Sequence, residues 1–360
     1  MHEYCIVDKN RILVFLIGIL ALVAVGFVLK AAQSVILPLI IAWLISYMLG
    51  PVINFFTRLR IPSSVSVTIV LVLVLGICYL AAVFLYARVR AFAEEYPKYE
   101  TKLTQLMETH SSRLARFMKI EEDGRGNVDW QEELNWQKKV GALLYGLTGS
   151  FVSFVSSLIL VIIFLVFMLL GKPYFKYKVK KAFNHERAEK LSEILGTISV
   201  QIGQYISVQF LVSLVTGILV WAVLRLIGVD FAVTWGALAF FLNFIPTLGS
   251  IVASIPPILL AIVQFYPNYW RAVITAFCLL TIQMVMGNGV APKAMGDKLN
   301  LSPVVVLLSL VFWGWLWGVA GAILSVPIAC TIKIVCANID TLRPISVMMS
   351  SGKTYKHEFV

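Results

Sequence analysis

Charge is what this sequence has least of. Only 14% of its 360 residues are Asp, Glu, Lys or Arg, where a soluble domain carries about a quarter. The scarcity is also uneven. Of the 49 charged residues, 20 fall between Arg88 and Lys139 and 10 between Lys172 and Glu193, leaving 19 for all the rest. With 59% hydrophobic residues and a mean hydropathy of +0.87, this excludes an ordinary soluble protein, a disordered chain and a nucleic-acid-binding module. The net charge of +11 suits cytoplasmic loops and lipid head groups.

Paired cysteines are missing. Cys78, Cys278, Cys330 and Cys336 lie in or near apolar runs and Cys5 at the N-terminus, with no C-x-x-C or zinc spacing; they read as small apolar fillers. Catalytic constellations are missing too. His2, His110, His185 and His357 lie outside the apolar runs and far apart. There is no P-loop, no H-E-x-x-H and no G-x-S-x-G. Neither an enzyme, nor an ATPase within the chain, nor a metal or cofactor is expected. Carboxylates at membrane depth are absent as well. Asp230 and Asp297 only border apolar runs, which lowers the case for a proton or sodium carrier; Asp230 is the residue such coupling would use.

What is present is long apolar sequence. Charge-free runs cover 12–29, 31–57, 61–87, 140–171, 194–224, 231–270, 272–292 and 299–332. About 20 apolar residues cross the hydrocarbon core as a helix, so the expected fold is an all-α polytopic membrane protein with about eight hydrophobic segments. The first run reads as an uncleaved span, since its leading segment is weakly basic and no clear small-x-small cleavage site precedes the next apolar run. Pro38 and Pro51 predict a kink or late start in the second. The layout divides into a first membrane half over 1–87, an external amphipathic helical segment over 88–140, a fourth span over 141–171, and a basic cytoplasmic helical segment over 172–198. A second membrane half with helix breaks follows over 199–337, and a cytoplasmic tail over 338–360.

Two stretches are too long for one helix and short for two. Residues 231–266 are interrupted by Asn243-Phe-Ile-Pro246-Thr-Leu-Gly249, and residues 303–335 by Gly314-Trp-Leu-Trp-Gly318. Each reads either as a re-entrant hairpin or as two short coupled spans, because unwound backbone at depth needs protein or water around it. The stretches are faintly alike: Gly249-Ser-Ile-Val-Ala-Ser-Ile-Pro256 resembles Gly321-Ala-Ile-Leu-Ser-Val-Pro327. Gly314, Gly318 and Ala322 form a small-residue face, unless the break falls at Gly318, in which case the glycines serve a turn.

Seven Lys or Arg against three acids in 172–193 mark a cytoplasmic segment. Arg58 and Arg60 mark a second. Alternation then places both termini inside and 88–140 outside, with Lys293 and Lys298 inside if 231–266 returns to its own side. In the external segment, Pro97 suits a first helical turn. Leu103, Leu106, Met107, His110, Leu114, Phe117 and Met118 keep a helical period. The sequence Glu121–Asn127 reads as a turn, and Asp129 with Glu132 caps a second helix. Such an apolar stripe needs a partner, and packing on a neighbouring subunit of a homo-oligomer is the expectation. Asn184 predicts a helix start inside.

Neutral polar residues remain at depth. Gln201, Tyr205 and Gln209 share one helical face. Gln283 and Asn288 sit in the 272–292 run, and Asn243 and Thr247 flank Pro246. They read either as interhelical hydrogen bonds or as the lining of a path for a small polar solute. The path residues would be Gln209, Asn243, Gln283 and Asn288, with Pro246, Gly249, Gly318, Gly321 and Pro327 shaping the breaks.

Three of these stretches together resemble the bacterial autoinducer-2 exporter family. They are Asn243–Gly249 with Ile255-Pro256; Gln283, Gly287-Asn288, Pro292-Lys-Ala-Met-Gly296 and Leu299-Asn-Leu-Ser-Pro303; and Gly318-Val-Ala-Gly321 leading to Val326-Pro327. The resemblance implies about eight membrane segments in a bacterial inner membrane and export of a small molecule, autoinducer-2 in the family's name. Some members resemble sodium/proton antiporters. The family commonly carries Arg-Gly where Ser207 and Val208 stand, Glu at Met286 and His at Ser302, so three polar or ionisable groups are replaced. The leading expectation is a transporter of a small polar molecule. A sodium/proton antiporter and a non-transporting oligomeric scaffold are the alternatives.

Overall fold

A computed structural model describes residues 2–62, 64–80, 83–84, 87, 91, 99, 102, 136–246, 248–295 and 300–352. The helical pattern and turn expected within 103–135 lie outside the described residues, as do Thr247 and the Lys298 end of the inner loop. The described chain is helical, with one isolated antiparallel bridge between Leu301 and Ser350.

In order the helices are α1 (His2–Ala31), α2 (Gln33–Met48), α3 (Gly50–Arg58), α4 (Ser64–Leu80), α5 (Trp136–Ala182), α6 (His185–Ile227), α7 (Ala232–Leu242), α8 (Leu248–Gln264), α9 (Trp270–Met284), α10 (Ala291–Met295), α11 (Pro303–Ala337) and α12 (Arg343–Met349). A π-helical stretch, Val285–Val290, joins α9 to α10. Among the described residues, three stretches are by length and composition long and apolar enough to cross a membrane: His185–Ile227, Trp270–Ala294 and Pro303–Ala337. Residues Leu16–Ala31 and Gln33–Met48 qualify together as a pair bent by 85°. That bend falls at Ala32, where the first apolar run gives way to the second; Pro38 lies buried inside α2 and Pro51 in the first turn of α3. The basic 172–193 stretch is shared: α5 carries its lysines to Ala182, and α6 starts at His185, directly after Asn184.

The chain forms two compact units. One comprises Met1–Pro51, Ser157–Gly203 and Lys298–Val360; the other Val52–Ser156 and Gln204–Asp297. The second unit centres on small and branched side chains: Val220 and Leu224 of α6, Ala232, Trp235 and Ala239 of α7, Ala253 and Ala261 of α8, Ala272 and Leu279 of α9. Alanines at so many of these positions let the helices approach closely.

Both interrupted stretches are helical hairpins. In the second unit, α7 has only 11 residues, about 16 Å at 1.5 Å per residue and about half the hydrocarbon thickness. The chain turns at Asn243–Pro246, and α8 returns. The Gln264 amide donates to the Gly228 carbonyl (2.8 Å), and its carbonyl accepts from the Asp230 N–H (2.9 Å). The two ends of a 34-residue excursion therefore meet.

In the first unit, length alone would pass α11 as one span. Gly318 breaks it, with φ 64° and ψ −144°. The Ser309 hydroxyl donates to the Ser325 carbonyl at 2.8 Å. A straight helix would hold those residues about 24 Å apart. The arms therefore run back along each other, and Gly314 faces Ala322 across the turn. The small residues serve the hairpin, as follows when the break falls at Gly318.

Candidate functional site

Two glycines set how near α7 lies to α6. A β-carbon on Gly217 would come within 2.8 Å of the Gly236 carbonyl oxygen, and one on Gly236 within 2.7 Å of the Gly217 carbonyl oxygen. The helices run antiparallel from that crossing. Stepping back along α6 through Ser213 to Gln209 therefore matches stepping forward along α7 through Phe240 to Asn243. Phe210 meets Phe240 edge-on, with ring centroids 5.6 Å apart.

At the tip of this first hairpin, polar groups converge. The Gln209 amide donates to the Asn243 backbone carbonyl at 2.6 Å and lies 3.5 Å from the Ser213 hydroxyl. The Asn243 amide donates to the same hydroxyl at 3.0 Å. Gln209 is 8% exposed and Ser213 fully buried. A buried amide must find partners or cost a few kcal/mol, and here the Asn243 backbone carbonyl and the Ser213 hydroxyl supply them. Asn243 ends α7, where a helix carbonyl lacks an intrahelical donor, and Gln209 provides one from the neighbouring helix. Sequence reasoning missed Ser213, although its position four residues after Gln209 puts it on the same face.

Pro246 follows in the turn, where the Leu248 N–H donates to its carbonyl at 2.6 Å. Gly249 is buried and cannot take a side chain: a β-carbon would overlap the Leu242 carbonyl oxygen and come within 3.2 Å of Ile245 Cβ. In the other hairpin Gly321 stands in the same relation, its β-carbon overlapping the Trp313 carbonyl oxygen and 3.0 Å from Trp317 Cβ. Pro327 is buried in the returning arm. The indole N–H of Trp317 donates to the Leu29 carbonyl in the last turn of α1 (3.2 Å), and Lys30 Nζ sits 4.8 Å from the Trp315 ring centre.

Gln283 lies on α9, two residues before the π-helical stretch. Its side-chain carbonyl oxygen is buried and, among the described residues, has no hydrogen-bond partner. Asn288 lies within the π-helix and is exposed, while Met286 is buried. The structure joins Gln209 to Asn243. Among the described residues, no hydrogen bond links either of them to Gln283 or Asn288. π-Helical stretches recur at functional sites because the widened turn re-aims side chains.

Asp230 sits elsewhere, at the mouth of the first hairpin. Its carboxylate accepts from the Tyr99 hydroxyl, and its backbone carbonyl accepts from the Trp235 indole at 3.1 Å. Lys102 Nζ donates to the Gln264 carbonyl at 3.2 Å. Two residues of the charged 88–140 segment thus bind this chain's own hairpin mouth, an attachment with no sequence signal because Tyr99 and Asp230 stand 131 residues apart. Among the described residues, no three His, Cys, Asp or Glu side chains gather closely enough to hold a metal.

Comparison with known proteins finds relatives over nearly the whole chain. The profile of the AI-2E family transporters matches residues 13–340. A proposed transport protein of Borreliella burgdorferi is 32% identical over 94% of this chain and 91% of its own. The AI-2 transport protein TqsA of Escherichia coli is 30% identical over 94% of this chain and 95% of its own. YhhT of Escherichia coli, a proposed transport protein, is 29% identical over 94% of both chains.

Proposed function

Because the chain belongs to the AI-2E family of membrane transporters, we propose that it exports a small polar solute carrying hydroxyl donors, autoinducer-2 or a close analogue. The observation that carries this reading is the Gln283 carbonyl oxygen, buried with no donor among the described residues and followed two residues on by a π-helical turn. An unsatisfied buried acceptor is costly, and a passing hydroxyl would relieve that cost. Gln209 and Asn243 hold the nearby hairpin in shape with their amide N–H groups, and Asn288 offers a further polar contact from the exposed side of the π-helix. Broken helices and hairpins are where secondary transporters build solute sites. The relative TqsA is named for AI-2 transport, which supports that solute for this chain.

The chain has no ATP-binding motif, so export runs down the solute gradient or is coupled to an ion gradient. The membrane is the bacterial inner membrane, with both termini cytoplasmic. The contacts of Tyr99 with Asp230 and of Lys102 with Gln264 support the placing of the 88–140 segment and the first hairpin's mouth on one side, the outer side by the positive-inside rule. Assembly as a homo-oligomer belongs to this proposal.

Flux in proteoliposomes tests it, with autoinducer-2, sodium and protons as cargo. Saturable autoinducer-2 flux is expected, reduced at least tenfold in Gln283→Leu protein of unchanged melting temperature. Equal flux in that variant would overturn the role of Gln283. Sodium-driven proton movement abolished by Asp230→Asn, with no autoinducer-2 flux, would replace this reading with the antiporter.

A further inference from the structure

We propose that the cytoplasmic end of α5 is a binding site for the phosphate headgroup of an anionic phospholipid. Tyr174, Tyr177, Lys178 and Lys181 line an open hollow of about 600 Å³. Their spacing of three, four and seven residues puts all four on one face of the helix, and all four are exposed. The opposite side carries Val179, which is buried, so the platform's direction is fixed by packing. Its depth is fixed too. Lys172, one residue past the apolar run, sits with Nζ 5.0 Å from the Tyr47 ring centre, which anchors this end of α5 to α2.

From Gly171 to Tyr177 the helix rises about 9 Å, and to Lys181 about 15 Å. The headgroup layer extends several ångströms beyond the hydrocarbon. Tyrosines therefore fall at headgroup level, where amphipathic rings concentrate. The lysines follow just beyond, near enough to an anionic surface to act within a Debye length of about 8 Å. Ring faces and lysine stems take the glyceryl portion, and the two ammonium groups meet the phosphate. Complementary charge singles out an anionic lipid over a zwitterionic one. The inference depends on the chain lying in a membrane, and not on which solute it carries.

The test titrates the purified full-length protein in neutral detergent with fluorescent phosphatidylglycerol and, separately, fluorescent phosphatidylcholine. A lysine near an anionic surface contributes about a fivefold gain in affinity, so Lys178→Gln/Lys181→Gln should weaken phosphatidylglycerol binding at least tenfold and leave phosphatidylcholine unchanged. Lys178→Arg/Lys181→Arg should retain it. Lys190→Gln removes an exposed charge from the next helix and should have no effect. Tyr174→Ala/Tyr177→Ala removes the hollow's walls at exposed positions, should weaken binding severalfold, and serves if the lysine variant does not purify. Loss of binding in Lys190→Gln equal to that in the double variant would overturn the proposal in favour of diffuse charge. Displacement of the lipid by inorganic phosphate would overturn it in favour of a soluble anion. Equal binding of the two lipids by the unaltered protein would overturn it outright.

Discussion

At the turn of each hairpin stands a glycine that admits no side chain. A β-carbon on Gly249 would overlap the carbonyl oxygen of Leu242, seven residues back, and one on Gly321 that of Trp313, eight residues back. Each glycine is followed by a buried serine, Ser254 or Ser325, and then by a proline inside the returning arm. The surroundings differ. The first tip gathers amides and a hydroxyl, Gln209, Ser213 and Asn243; the second gathers indoles, with Trp313 and Trp317 ring centres 4.8 Å apart. The mouths differ as well. The first is held by Tyr99 and Lys102 of the charged segment. The second is held by the tail, where Ser302 N–H donates to the Met349 carbonyl and Ser351 N–H to the Asn300 side chain. One backbone device thus serves two chemistries, and the polar one is the candidate for solute contact.

The harshest way to break the comparison is to add a methyl at each turn. Gly249→Ala and Gly321→Ala should each destabilise by about 3 kcal/mol or more, because the obstacle is backbone that cannot rotate away. Both should lose most folded protein in a detergent melting assay. Gly196→Ala, with open space around the glycine, should be neutral or slightly stabilising. If one of the two turn glycines accepts alanine, the hairpins are not equivalent.

A milder change separates the turns. Gly318 holds φ 64° and ψ −144°, a conformation that costs a side chain about 1–3 kcal/mol. Asn243 at the other break holds φ −63° and ψ −14°, ordinary helical backbone. Gly318→Ala should therefore lower the melting temperature through backbone strain, although nothing lies within 4 Å of the added atom. Asn243→Ala should lose only its hydrogen bonds.

Much of this was legible in the sequence. The breaks at 243–249 and 314–318 were visible because glycine, proline and asparagine interrupt apolar runs whose lengths fit neither one helix nor two. The likeness of Gly249–Pro256 to Gly321–Pro327 was visible as a faint repeat, and the structure gives it a cause in the shared close approach. The Gln209 face was visible from four-residue spacing. The pairing of Gln209 with the Asn243 carbonyl was not, since it joins positions 34 apart through a glycine crossing at Gly217 and Gly236. The bend at Ala32 falls beside the gap that Lys30 leaves between the first two apolar runs, while the prolines of the second run, Pro38 and Pro51, lie inside α2 and in the first turn of α3. The apolar stripe expected to pack on a neighbouring subunit lies outside the described residues; the contacts of Tyr99 and Lys102 with their own chain join positions 131 and 162 apart, which no local periodicity encodes.

The mouths offer the third comparison. Tyr99→Phe removes the hydroxyl that the Asp230 carboxylate accepts, and Lys333→Met removes the ammonium that donates to the Asn300 carbonyl at 2.6 Å. Each bond is partly exposed, so about 1 kcal/mol is expected from either loss. The melting temperatures should fall by similar amounts. A much larger fall for Tyr99→Phe would mean that the charged segment supports the first hairpin more than the tail supports the second.

The smallest effect on stability carries the sharpest functional contrast. Ser213→Ala removes the hydroxyl that accepts from Asn243, and Ser309→Ala removes the one that donates to the Ser325 carbonyl. Hydrogen bonds between membrane helices are worth about 0.6 kcal/mol on average, so both variants should melt within a degree or two of the parent. Flux should not treat them alike. If the polar tip contributes to solute passage, freeing the Asn243 amide inside the second unit should change transport severalfold in Ser213→Ala, while Ser309→Ala, acting only within the aromatic hairpin, should transport normally. Equal flux in both would reduce Gln209, Ser213 and Asn243 to helix-pairing groups, and would leave Gln283, the buried acceptor with no donor among the described residues, as the residue on which solute recognition rests.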